Sequence, residues 1–287
     1  MMIEIKQLTD VKFEMIHDAF KRAFADYVEP FDLTVDQLRY MVERRGFNPN
    51  LSFGAFDSDA LVGITLNGIG EWNGKLTAYD TGTGIVKEYR KKGIATQMFT
   101  DSLPVLRENE IECYLLEVIK SNTSAYELYK KAGFKVVREF DYYKSEIAKL
   151  NLDVKKVEDG VEVKEIIIPD WDQLKSFWEF KPSWQNSLDS LNRKASHFNY
   201  LGIYKNNSLC GYGVIEPATG DIPQFAIAKN CRREGLATIL FKHLVSLSEN
   251  GAIKIINTEE GYEPFRQFAE SINLPLGLGQ YEMILDL

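Results

Sequence analysis

Cysteine, histidine and long apolar runs are all scarce in this 287-residue chain. Cys113, Cys210 and Cys231 are scattered and odd in number, so they form neither a disulfide framework nor a C-x-x-C metal pair and read as small buried hydrophobes. His17, His197 and His243 have no partner at i+3 or i+4, which argues against a zinc site. The opening "MMIEIKQLTD" alternates charged and apolar residues, and nowhere do roughly 20 apolar residues follow one another, as a membrane helix requires. The expectation is a cytoplasmic protein without a membrane partner. Positive charge is also short, with 34 Lys and Arg against 42 Asp and Glu, a net charge of -8. That excludes a broad nonspecific nucleic-acid surface, which must displace counterions, but leaves room for a local basic patch.

What the chain does have is enough apolar residues, 45%, to build real cores, and length for two domains of ordinary size. It also repeats itself. "RKKGIATQMF" from Arg90 and "RREGLATILF" from Arg232, 142 residues apart, share Arg90/Arg232, Gly93/Gly235, Ala95/Ala237, Thr96/Thr238 and Phe99/Phe241. Five matches in ten, where residue usage gives about one or fewer, indicate duplication.

The flanks agree. In the first half "IEIKQL" reads as a strand, and Phe13, Ile16, Phe20 and Phe24 recur at helical spacing. Thr34 and Gln37 form a capping box for a second helix that Gly46 closes. Strands are predicted near Leu51–Phe56, Leu61–Gly68 and Lys75–Val86, a helix after Gly93, a strand at Cys113–Val118, a helix over Thr123–Lys131, and a final strand pair around Lys135–Ile147. Ser145 to Gly160 is charged and poor in large apolar residues, giving domains 1–148 and 161–287 joined by 149–160. The second half restarts with "VEVKEIII", an Asp170-capped helix "WDQLKSFWEF", three strands, the helix from Leu236, "IKIIN", a helix around Tyr262–Glu270 and the strand "YEMILDL". The order suits an α+β fold, a mixed sheet flanked by helices, in two copies.

Arg90 to Ala95 reads R-x-x-G-x-A directly after a strand and at the start of a helix. The first N–H groups of a helix lack internal partners and lie at the positive end of its dipole, so this turn can hold a phosphate. Gly93 permits close approach, and Arg90, Lys91 and Lys92 add charge. "TGTG" at 81 to 84 lacks dinucleotide-loop spacing.

A second block, "LLEVIKSNTSAYELYKKAGF" from Leu115 to Phe134, follows in register. Together the two blocks resemble the GNAT superfamily of N-acetyltransferases, most sharply over residues 85 to 134. The resemblance implies acetyl-CoA as acyl donor, with the main chain of Ile85, Val86 and Lys87 pairing with the pantetheine arm. It further implies that the amides of Lys91, Lys92, Gly93, Ile94, Ala95 and Thr96 cradle the pyrophosphate, that Asn122 hydrogen-bonds the donor, and that Tyr129 stands near the thioester sulfur as the acid, with Tyr126 as substitute. Lys87 and Lys91 depart from the family's frequent proline and glycine.

The chemistry needs a neutral amine, a polarised carbonyl and a protonated leaving thiol. A main-chain N–H near Val86 is expected to polarise the carbonyl. Asp80 and Glu117 are candidate bases; Asp26 and Glu29 are candidates for holding a cationic substrate. The second copy reads as degenerate: Glu234 replaces Lys92, and Phe268 or Ala269 falls where Tyr129 stands. "WDQLKSFWEFKPSW" from Trp171 serves packing or a pocket. The acceptor is a small-molecule or peptide amine, and the chain a monomer or homodimer. The rival expectation is a non-catalytic module that binds and senses acyl-CoA.

Overall fold

In the computed structural model the described residues are 3–26, 32–154 and 159–287. The first half contains β1 (Ile3–Gln7), α1 (Phe13–Ala23), α2 (Val35–Arg44), β2 (Phe53–Asp57), β3 (Ala60–Trp72), β4 (Lys75–Ile85), α3 (Ile94–Glu108), β5 (Cys113–Ile119), α4 (Thr123–Lys131) and β6 (Lys135–Glu146). The second half repeats the order with β7 (Val161–Glu165), α5 (Trp171–Lys175), α6 (Leu188–Arg193), β8 (Asn199–Lys205), β9 (Ser208–Glu216), β10 (Asp221–Ile227), α7 (Leu236–Val245), β11 (Ala252–Glu259), α8 (Glu263–Ser271) and β12 (Gln280–Asp286). An α+β fold of two similar halves is what the periodicities demand.

Local chemistry explains the element ends. Thr34 Oγ1 accepts from Gln37 N–H at 3.2 Å while Gln37 Oε1 accepts from Thr34 N–H at 2.9 Å, the reciprocal capping box that opens α2. α1 buries Ile16, Ala19, Phe20 and Ala23, one face of a 3.6-residue period. Two predicted elements come out differently. The strand pair expected over Lys135–Ile147 is one twelve-residue strand, because "KVVREFDYYKSE" contains no turn residue. The helix expected over "WDQLKSFWEF" stops at Lys175, and Trp178 turns aside to donate its Nε1–H to Tyr212 Oη at 2.6 Å.

The chain packs as two compact units, residues 1–137 with 281–287, and residues 138–280. In the front unit the strands lie in the order β1-β2-β3-β4-β5-β12, in the back unit β6-β11-β10-β9-β8-β7. Each half therefore ends its own sheet with the other half's last strand: β12 supplies Met283, 1% exposed, to the core holding Leu116 and Phe134, and β6 supplies Tyr143 to the back core.

Within each unit the central parallel pair opens like a wedge. β4 and β5 pair only at Thr77↔Cys113, Ala78↔Tyr114 and Tyr79↔Leu115, although both run on, and β10 pairs with β11 at Asp221↔Lys254. A bulge initiates the front wedge: Leu66 faces Gly82 and Asn67 faces Asp80, so Thr81 is the extra residue. Arg45 Nη1 satisfies the displaced Thr81 carbonyl at 3.1 Å. The glycine at 84 is a packing feature, since a Cβ there would stand 2.8 Å from the Phe24 ring of the segment that follows α1. Two cysteines scattered in the sequence meet in the back unit, Cys231 Sγ lying 2.8 Å from Cys210 Sγ.

Candidate active site

The turn after β4 has the conformation of an anion cradle. Lys91 (φ 60°) and Gly93 (φ 80°) are left-handed, and alternating such residues with ordinary ones aims successive N–H groups to one side. The first helical bond runs from Gln97 N–H to Gly93 O at 3.0 Å. Among the described residues no protein acceptor takes the backbone N–H groups of Lys91, Lys92, Gly93, Ile94, Ala95 or Thr96. Ile94 anchors the turn by burying its side chain with Met98 and Val62. Lys91 is exposed, and Lys92 Nζ sits 5.0 Å from the Tyr89 ring centroid.

Arg90 faces the other way. Its Nε donates to Ile85 O at 3.0 Å, Nη2 to Ala23 O at 2.8 Å, and its guanidinium grips both Asp26 oxygens at 2.8 and 2.7 Å. The fork holds the end of α1 against the turn and, by hydrogen bonding, keeps the Asp26 carboxyl below its ordinary range. Lys87, exposed, lies 3.9 Å from the same carboxylate. Asp26 is thus committed to the turn, and Glu29 lies outside the described residues.

Among the main-chain N–H groups near Val86, that of Val86 itself is taken. Val86 N–H donates to Val62 O at 2.9 Å, and Val86 O accepts from Tyr89 N–H at 2.9 Å, so both of its backbone groups are engaged. In an antiparallel pair the N–H groups point alternately toward and away from the partner strand, which turns the Ile85 N–H away from β3 toward the wedge.

At the wedge, Asp80 and Tyr129 come together. Tyr129 Oη donates to Asp80 Oδ2 at 3.0 Å, Thr83 Oγ1 donates to the same oxygen at 2.8 Å, and Gly82 N–H donates to Oδ1 at 2.9 Å. Burial raises the Asp80 carboxyl despite those three donors. Burial, then the adjacent Asp80 charge, pushes the Tyr129 phenol well above its ordinary value. The Tyr129 ring packs edge-on against Phe134 at 5.6 Å, which fixes its direction. Glu117 belongs to a different pair, hydrogen-bonded to the buried phenol of Tyr79, itself raised chiefly by burial. Tyr79 and Asp80 are successive strand residues and face opposite sides of the sheet. Tyr126 packs on Tyr281 at 5.1 Å, away from Asp80. Asn122 caps α4, its Oδ1 accepting from Ala125 N–H at 3.1 Å, which leaves its Nδ2 as the outward donor.

The model of the family described as "Acetyltransferase (GNAT) family" matches residues 13–134 and again 161–270. The chain belongs to this family. Among curated proteins, N-alpha-acetyltransferase 30 of Schizosaccharomyces pombe is 33% identical over 120 residues, 41% of this chain and 77% of that protein. N-alpha-acetyltransferase MAK3 of Arabidopsis thaliana is 31% identical over 96 residues, 33% of this chain and half of that protein. Two solved structures share the fold across the whole chain. A tandem GNAT protein from the clavulanic acid biosynthesis pathway has TM-score 0.75 and 12% identity, covering 99% of this chain and 98% of its own. A GCN5-related N-acetyltransferase from Sphaerobacter thermophilus has TM-score 0.72 and 10% identity, covering 99% and 95%. This tandem GNAT protein is accordingly an acetyl-CoA-dependent N-acetyltransferase. No helix among its described residues is long and apolar enough to cross a membrane.

The two GNAT copies differ at the positions of Asp80 and Tyr129. The offset of 142 between the turns puts Ile222 where Asp80 stands. α4 and α8 begin 140 residues apart, so Ala269 replaces Tyr129, deciding between the two positions sequence left open. Both replacements are fully buried, and neither can move a proton.

Proposed function

We propose that the front unit transfers acetyl from acetyl-CoA to a primary amine, with the peptide α-amino group as the preferred acceptor. The observation that carries this reading is the Asp80–Tyr129 hydrogen bond at the wedge, beside a turn of open amides, in one copy alone. The amides of residues 91 to 96 hold the diphosphate, Asn122 Nδ2 and the edge of β4 hold the pantetheine arm, and Arg90 positions the turn rather than touching phosphate. Ile85 N–H polarises the thioester carbonyl.

Acceptor preference follows from proton chemistry and the relatives' names. An α-amino group with pKa near 8 is about one part in ten neutral at pH 7, a lysine side chain about one in a thousand. Two relatives are N-alpha-acetyltransferases. The ammonium gives its first proton to water, and its neutral nitrogen attacks the carbonyl carbon. The proton released from nitrogen goes to Asp80, the C–S bond breaks, and Tyr129 protonates the sulfur and recovers its proton from Asp80. Two charges are thereby cancelled inside the wedge without a free thiolate.

The test is thiol release by the full chain with acetyl-CoA and peptides bearing free or blocked N-termini, alongside small polyamines. Turnover is expected with the free peptides and not with the blocked ones. Turnover confined to polyamines would move the acceptor to small molecules, and none with any amine would favour the sensor.

A further inference from the structure

Cys210 and Cys231 lie 21 residues apart in the chain, and two backbone bonds bring their sulfurs together. β10 ends against β9 at Ile227↔Gly211, and Ala228 N–H then donates to Cys210 O at 2.8 Å. One short turn, closed by Cys231 N–H to Ala228 O at 2.9 Å, folds residue 231 back over residue 210. Both ends are held. Cys210 is 3% exposed inside the back core, and the residue after Cys231 is tied down by Arg232 Nε to Ile227 O at 3.0 Å and Arg232 Nη2 to Glu179 at 2.9 Å. The Sγ–Sγ approach of 2.8 Å is about 0.8 Å longer than a covalent S–S bond.

The turn itself does not require sulfur. The front copy makes the same two bonds, Val86 N–H to Val62 O and Tyr89 N–H to Val86 O, each at 2.9 Å, with valine and tyrosine at the two places. Nor do the cysteines belong to a metal site, since no group of three His, Cys, Asp or Glu among the described residues could hold an ion. Cys231 is half-buried and lines a cavity of about 680 Å³, which gives a small molecule access to its sulfur.

We propose that Cys210 and Cys231 are a reversible redox modification site, closing an intrachain disulfide by exchange with a small-molecule disulfide such as oxidised glutathione. The Cys231 thiol gives its proton to water, its sulfur attacks one sulfur of the small disulfide, the S–S bond there breaks and one thiolate leaves. The Cys210 thiol then gives its proton to water and attacks Cys231 Sγ, the mixed S–S bond breaks and a second thiolate leaves. Two electrons pass from the protein to the small disulfide, whose two halves take up the two protons. Burial, hydrogen bonding with Cys210 and the Glu234 carboxylate push the Cys231 thiol above its ordinary value against the pull of Lys205, so exchange at neutral pH is slow.

The test incubates the folded full chain with oxidised glutathione, quenches it in acid, then unfolds and alkylates it for intact mass and non-reducing peptide mapping. Expected is a chain lighter by two hydrogens, with Cys113 alone alkylated, Cys210 and Cys231 linked, and both thiols returned by dithiothreitol. Cys210→Ser should stop at a glutathione adduct on Cys231, and Cys231→Ser should leave the buried Cys210 unreacted; Cys210→Ala and Cys231→Ala give the same readings if a serine variant melts early. Because the cross-link restricts the unfolded chain, the oxidised protein should melt about 5 °C above the reduced one. A glutathione adduct that persists on Cys231 of the parent, a link to Cys113, or no reaction at either residue overturns the proposal. So does an oxidised chain that melts no higher than the reduced one, since the bond would then not fit the native fold.

Discussion

Replacing Asp80 by asparagine separates chemistry from stability. The side chain keeps its shape but can no longer take a proton from the attacking nitrogen. Loss of a positioned base costs roughly 100- to 10,000-fold in rate, or about 3–5 kcal/mol of barrier. Stability should respond differently. Burial raises the folded-state pKa of Asp80, so above that pKa its ionised form destabilises the native state, and a neutral amide removes this cost. Against that, Asp80 accepts from Gly82, Thr83 and Tyr129, and an amide presents one NH₂ where two oxygens stood, losing at least one acceptor at about 1–3 kcal/mol. The terms oppose each other, and for a protein of this size a net change of 1–2 kcal/mol is a shift of about 2–8 °C. The assay pairs initial rates of thiol release at saturating acetyl-CoA with differential scanning calorimetry on the same sample. Turnover within twofold of the parent would refute the assignment of Asp80 as base, and a melting shift far beyond that range would make it a structural carboxylate.

Tyr129→Phe should lower kcat by roughly 100- to 10,000-fold while acetyl-CoA affinity holds, checked by kcat and by calorimetry. The pH dependence of kcat/KM should fall on the acid side with slope one from the substrate amine and steepen to slope two where Asp80, its pKa raised by burial, is protonated as well; Asp80→Asn should keep the amine limb and lose the steepening. Met283→Ala, far along the chain from the front site, should destabilise the front unit by about 2–5 kcal/mol, read as hydrogen-exchange deprotection of β5, since it empties a fully buried position on the exchanged strand. Arg90→Ala should raise KM for acetyl-CoA by about fivefold, one charged hydrogen-bonded pair's worth, with a smaller effect on kcat.

Much of the fold was legible because its signals are local. The Thr34–Gln37 box, the apolar stripe of α1 and the repeated R-x-x-G-x-A turn each depend on neighbours within a few residues. The exchange of β6 and β12 was not legible, since "EFDYYKSE" and "QYEMILD" are both alternating strands and partner choice is decided by packing far along the chain. At the site, the turn and Tyr129 stood out by spacing. Asp80 was one of four carboxylates until the fold set it against Tyr129 and set Glu117 against Tyr79. The direction of the Val86 N–H depends on strand register, and the reach of Arg90 to Asp26 on how α1 docks, neither of which a motif encodes.

The most direct test of the acetyl-transfer account is a crystal structure of the full chain with coenzyme A. The account requires the diphosphate on the amides of residues 91 to 96 and the sulfur within about 3.5 Å of Tyr129 Oη, hydrogen-bond range for sulfur. A front turn without phosphate, or a sulfur pointing away from Tyr129 while the phosphates sit on the turn, would contradict it.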